Sequence, residues 1–157
     1  TSGQAIAGQA LGRFGIAVVQ GGYIMLGTAL LFGVDWGDPV LAGLVLILFS
    51  AVAAAAAMVI GSVLDNDAAA SGVGVGVGLV VAGLGGSMVP PEFFSETLQA
   101  VSLATPHRWA YDAFAAIQRH DGTLMDILPQ LGVLAAMAAA LLVAGALLLR
   151  RSLNRAL

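Results

Sequence analysis

Four stretches of the chain carry no charged residue over a length suited to crossing a bilayer: residues 14–34, 40–64, 68–89 and 131–149. At about 1.5 Å per helical residue each reaches across the roughly 30 Å hydrocarbon core. Polar residues gather between these stretches. Asp35-Trp36-Gly37-Asp38-Pro39 packs two carboxylates, a glycine and a proline into a turn so short that the flanking spans must run antiparallel, with Trp36 suited to the headgroup layer. Asp65-Asn66-Asp67 ends the second span. The third span contains GVGVGVG from Gly72 to Gly78, an alternation that would suit a strand in water. In lipid a lone strand leaves its backbone groups without partners, so the pattern predicts a helix. On that helix Gly72 and Gly76, and Gly74 and Gly78, stand four apart and offer two small-residue faces for close packing. Gln20 is the most polar side chain deep in a span. It is expected to face the bundle interior, as packing glue or as pathway lining.

Residues 90–130 break the pattern, holding seven of the fifteen charged residues and both histidines. Pro90 and Pro91 are predicted to open a helix with Phe94, Leu98 and Val101 on one side and Glu92 and Glu96 near its positive end. Thr105-Pro106 reads as an N-cap followed by a first-turn proline, starting a second helix with Trp109, Ala113, Phe114 and Ile117 on one side. His120-Asp121-Gly122 ends it, and the fourth span is entered through a turn kinked by Pro129. The expected fold is an all-α polytopic membrane bundle: four transmembrane helices, with a short extracellular or re-entrant helical hairpin between the third and fourth, forming one domain over residues 1–157.

Composition agrees with lipid as the solvent. Hydrophobic residues make up 59% of the chain and charged residues 10%, against about a quarter charged in a soluble domain. With no cysteine there is no disulfide framework, thiolate nucleophile or cysteine metal site to consider. The opening thirteen residues lack the basic start and apolar run of a signal peptide, and the start reads as a cut through a longer protein. With four spans, Arg13, Arg150, Arg151 and Arg155 fall on one side of the membrane and Arg108 and Arg119 on the other. The positive-inside bias therefore puts both ends of the chain in the cytoplasm and the hairpin outside.

Candidate chemistry is sparse. The glycine run lacks the strand–turn–helix context and the following acidic residue of a dinucleotide site, and no Walker A pattern is present, so the chain is not expected to hydrolyse ATP by itself. Asp65-Asn66-Asp67 lacks the remaining positions of a calcium loop. His107 and His120 with Asp112 and Asp121 lack the ligand spacing of a zinc site and read as surface polar residues. Ser87 has neither a nucleophile elbow around it nor a histidine within a span. No catalytic, metal or cofactor residue and no nucleic-acid partner is expected.

Gly85-Gly86-Ser87-Met88-Val89-Pro90, followed by Leu98-Gln99, Ser102, Thr105-Pro106 and Trp109-Ala110-Tyr111-Asp112-Ala113-Phe114, resembles the C-terminal half of the ABC type 2 permeases, the membrane subunits of bacterial ABC exporters that include the daunorubicin-resistance-like drug exporters. Gly8 to Arg13 resembles the cytoplasmic approach to that family's third span, and Arg150-Arg151 its basic ending. The resemblance implies that these are the last four of six spans in a bacterial plasma-membrane permease without catalytic residues. It also implies a separate ABC ATPase subunit carrying ATP and Mg, a second permease copy or homologue, and surrounding lipid. The hairpin residues Pro90, Gln99, Ser102, Thr105, Pro106, Trp109, Tyr111, Asp112 and Phe114 would then form a gating or structural cap, with Gln20, Gly72 and Gly76 serving the pathway or its packing. Export of a drug-like or other hydrophobic substrate is the expected role.

Overall fold

The computed structural model describes residues 2–64 and 66–155, and the side chains among these except at Ser2, His120 and 152–155. Six α-helices account for most of it: α1 Ser2–Phe32, α2 Pro39–Val63, α3 Asp67–Leu84, α4 Glu96–Ser102, α5 Pro106–His120 and α6 Leu124–Arg155, with a 3-10 turn at Pro91–Phe93. Helices α1, α2, α3 and α6 are long and apolar enough to cross a membrane. The described residues contain no strand, and GVGVGVG lies wholly within α3, as the need to pair backbone groups in lipid requires.

The ends of these helices depart from the charge-free runs for local reasons. α1 begins at Ser2 and carries Arg13 inside it, because Arg13 finds Gln9 one turn back and the Ala57 carbonyl on α2. α3 stops at Leu84 instead of continuing to residue 89: Gly86 turns the chain at φ +95° before Pro90 and Pro91 can enter a helix. The helix predicted to run from Pro91 through Val101 is broken. Pro91–Phe93 makes one 3-10 turn, Phe94 is extended, and Ser95 starts α4 afresh with its hydroxyl accepting from the Leu98 N–H at 3.4 Å. Phe94 therefore belongs to no helix.

α6 starts at Leu124, seven residues before the charge-free run. Asp126 explains the early start: its Oδ2 accepts from both the N–H (2.8 Å) and the hydroxyl (2.7 Å) of Thr123, a reciprocal cap that fixes the first turn. Pro129 is thus inside the helix rather than in a turn leading to it. The hairpin is correspondingly shorter and closes at Asp121, which adopts a left-handed φ of 48° while Gly122 N–H donates to Ala116 O. At the other end of the molecule, the Asn66 side chain caps α3 by accepting from the Ala68 and Ala69 N–H groups, and Asp67 supplies negative charge to its first turn. Asp65, the first residue expected in that turn, lies outside the described residues.

The core lies where α2, α5 and α6 meet. Val45 and Val52 of α2, Ala113 and Ile117 of α5, and Ile127 and Leu134 of α6 are buried together. Lipid is as apolar as these side chains, so close packing rather than escape from water holds the contact. No described residue of α1 or α3 is buried. Helix α5 runs beside α2 in the opposite direction: its end touches Gly37 through Ile117, while its start places His107 against Phe49. From Gly37 to Phe49 is twelve residues, about 18 Å of helix rise. The N-terminus of α5 therefore sits about halfway along α2, making the hairpin re-entrant.

Candidate functional site

Two features converge on the start of α5: the polar bonding that folds the hairpin, and a cavity beneath it. The hairpin residues singled out from the sequence mostly bond to one another. Thr105 donates through its hydroxyl to Ser102 O (2.7 Å) and accepts from Arg108 N–H, the expected cap. Pro106 occupies the first helical position, where its missing N–H leaves one fewer donor to satisfy at mid-depth. The buried Ser102 hydroxyl donates to Gln99 O (2.6 Å) and accepts from Arg108, whose Nε also pairs with Asp112 at 2.8 Å. The Gln99 amide donates to Phe94 O, and Trp109 Nε1 to Leu103 O at 2.8 Å. These bonds hold α4 and α5 in one rigid elbow.

A second set ties the elbow to its surroundings. Tyr111 OH donates to the Glu92 carboxylate, and Arg119 donates to both (2.7 Å to Glu92 Oε1 and 3.0 Å to Tyr111 OH) with its guanidinium 5.6 Å from the Tyr111 ring centre. The Glu92 backbone N–H, and then Arg119 and Tyr111, hold the Glu92 carboxyl below the usual glutamate range. Phe114 stacks edge-on to Trp36 with centroids 5.3 Å apart, and Gln118 donates to Asp35 O. Trp109 and Phe114 are packed against the core, so they anchor the hairpin to protein. Pro90 directs the chain from the Gly86 turn into the 3-10 turn. Gly85 meets the α5 start so closely that an added Cβ would lie 3.0 Å from Arg108 N and collide with His107.

Below this elbow α2 and α3 diverge and leave a cavity of about 970 Å³. Its walls are Ala53, Ala56 and Ala57 of α2 and Ser71, Gly74 and Gly78 of α3; Thr105, Pro106 and His107 form the roof. Gln9, Arg13 and Asp67 stand at the end remote from the hairpin. The volume is at the upper end of small-molecule sites, which are mostly apolar with a few placed polar groups. The His107 Nδ1 is buried and has no hydrogen-bond partner among the described residues. Arg13 donates to Gln9 Oε1 from two nitrogens (3.2 and 3.1 Å) and to Ala57 O from a third (3.1 Å).

The other residues nominated from sequence lie elsewhere. Gln20 is exposed on α1, outside the interior it was expected to face. Gly72 and Gly76 are exposed on α3 with nothing within 4 Å of an added Cβ, while the alternate pair Gly74 and Gly78 lines the cavity. Sequence reasoning missed Arg13, Phe49 and His107 as a set. Gln9 and Arg13 at four-residue spacing ahead of a span were a legible signal for a positioned guanidinium; the meeting of Phe49 with His107 had none.

The sequence pattern of the ABC-2 family transporter proteins matches residues 3–147. The chain belongs to the ABC-2 transporter family. Among curated proteins it is similar to the linearmycin resistance permease protein LnrN of Bacillus subtilis (strain 168), at 26% identity over 144 residues, which cover 92% of this chain and 37% of that protein. The chain thus spans well under half the length of this ABC-2 relative. No solved structure matches it.

Proposed function

We propose that the chain is part of the transmembrane permease subunit of an ATP-driven ABC exporter, carrying a drug-like or other hydrophobic substrate out of the cell. The observation that carries this reading is the cavity between α2 and α3, roofed by the re-entrant elbow and reaching Arg13 at the far end. Such a space can load from one side while the roof blocks the other. The positive-inside bias favours cytoplasmic ends for the chain, so the Arg13 end faces inward and the hairpin outward. The resistance role in the relative's name supports a drug-like cargo.

In this reading the chain contributes no catalytic residue, and ATP and Mg belong to a separate ABC ATPase. That partner drives the change between inward-open and outward-open states by favouring each in a different nucleotide state. A second permease copy completes the pathway, and lipid surrounds the remaining apolar faces of α1 and α3. The test is co-purification of the intact protein with its ATPase, followed by ATP-dependent efflux from vesicles. The expected result is a stoichiometric ATPase and hydrolysis-driven efflux. A protein that purifies without an ATPase yet acts on lipid or peptide would instead be a membrane enzyme. Cysteine probes at Thr123 and Ser152 should react from outside and from inside respectively.

A further inference from the structure

The guanidinium of Arg13 carries five N–H donors, of which three are used on Gln9 and Ala57 O. Two remain, on a cation lining the cavity mouth. Both of its partners are neutral, and Arg13 makes no ion pair among the described residues. Gly61 leaves the room it occupies: a Cβ there would stand 3.0 Å from Nη2. From Ala57 up α2 to Phe49, where His107 roofs the space, is eight residues, about 12 Å. Between these ends the walls are mostly alanine and valine side chains and bare glycine backbone, with the Ser71 hydroxyl among them and nothing within 4 Å of a Cβ added at Gly74 or Gly78. A cation at the end of a mostly apolar trough complements one kind of molecule.

We propose that the cavity binds an anionic amphiphile drawn from the adjoining leaflet, its carboxylate or phosphate on the free donors of Arg13 and its apolar chain lying against Gly74 and Gly78 towards His107. Asp67, also at the mouth, opposes any anion there, so an anionic head is held only if its hydrogen bonds to the guanidinium outweigh that repulsion. The inference deepens the transport reading by naming the class of cargo that the inward-facing cavity accepts.

The experiment measures binding alone, without nucleotide, on the intact protein in phosphatidylcholine nanodiscs. Three probes share a dansyl-labelled medium-length chain and differ in the head: carboxylate, methyl ester and primary amine. The carboxylate should bind roughly ten-fold or more tightly than the ester, as a charged hydrogen bond to a half-buried cation predicts, and the amine no better than the ester. Arg13→Gln should erase that preference, and Arg13→Lys should keep part of it. Gly78→Leu, which meets open space, should fold normally and abolish binding of all three. Acetate and inorganic phosphate should not compete, because they lack the chain.

Equal binding of acid and ester, preference for the amine, or an acid preference that survives Arg13→Gln would overturn the proposal. So would a Gly74→Cys variant that resists a thiol reagent from the Arg13 side, since another protein segment would then fill the trough. Binding as expected without ATP-driven efflux leaves the site standing and removes the transport reading. Efflux without an acid preference does the reverse.

Discussion

Helices α2 and α3 are neighbours, each long and apolar enough to cross a membrane, yet one is the axis of the fold and the other packs loosely. α2 buries Ala42, Val45, Val52, Ala55 and Met58, with Val45 and Val52 in the core it shares with α5 and α6, whereas α3 buries nothing among its described residues. The difference teaches that in lipid hydrophobicity places a helix in the membrane and side-chain shape decides what it packs on. α2 alternates Val and Leu with small alanines that interlock with α6. α3 offers glycines, which permit close approach but fill no hole.

The largest effect expected from this contrast is at the core. Leu134→Ala, at a fully buried position facing α2, should cost about 2–3 kcal/mol by leaving a cavity, read as a lower unfolding midpoint in mixed micelles. If Val77→Ala on α3 costs as much, the contrast is wrong. Gly85→Ala comes next. It sits at the C-cap of α3, where the chain presses on α5, with Arg108 N 3.0 Å from an added Cβ and His107 closer still, so overpacking should cost about 1–3 kcal/mol. Gly76→Ala should do the opposite, raising stability by about 0.5–1 kcal/mol through helix propensity alone, because nothing lies near its Cβ. A destabilising Gly76→Ala would mean that a partner presses on that face in the membrane.

The smallest effect concerns the link from the α3 exit to α5. Glu92 has its carboxyl held below its ordinary value of 4.5, by its own backbone N–H first and then by Arg119 and Tyr111. A carboxyl depressed on folding contributes stability that is complete above that ordinary value and is lost as pH falls through the lower folded value. Hydrogen exchange at residues 91–95 should therefore quicken only under acid conditions. Glu92→Gln should show the quicker exchange at every pH and lose the acid dependence.

Much of the fold was legible in the sequence. Freedom from charge over spanning lengths located all four membrane helices, and the Thr105-Pro106 pair located the start of α5. The ends were less so, because capping decided them: Asp126 with Thr123 moved the start of α6, and Ser95 displaced Phe94 from its helix. At the candidate site the sequence offered the hairpin's polar residues only as a list. That Ser102, Arg108 and Asp112 form one chain of bonds depends on an elbow whose angle no spacing encodes. Choosing Gly72 and Gly76 over Gly74 and Gly78 failed for a similar reason: helical period defines two faces, and only tertiary packing says which one meets the cavity. Gln20 was expected inside because of its polarity, yet α1 turns it outward.

The burial of Val45 against Leu134 has a consequence for how the protein is made. The two positions are 89 residues apart (134 − 45), so α2 leaves the insertion machinery long before α6 exists. Until α6 emerges, the face of α2 that interlocks with it lacks that partner and meets lipid tails, which fit it loosely. The pairing of α2 with α6 is then a late lateral docking event in the bilayer, after α6 is inserted. A nascent chain stalled before Leu124 should be inserted in full and still be recognised by membrane quality-control proteases as unfinished.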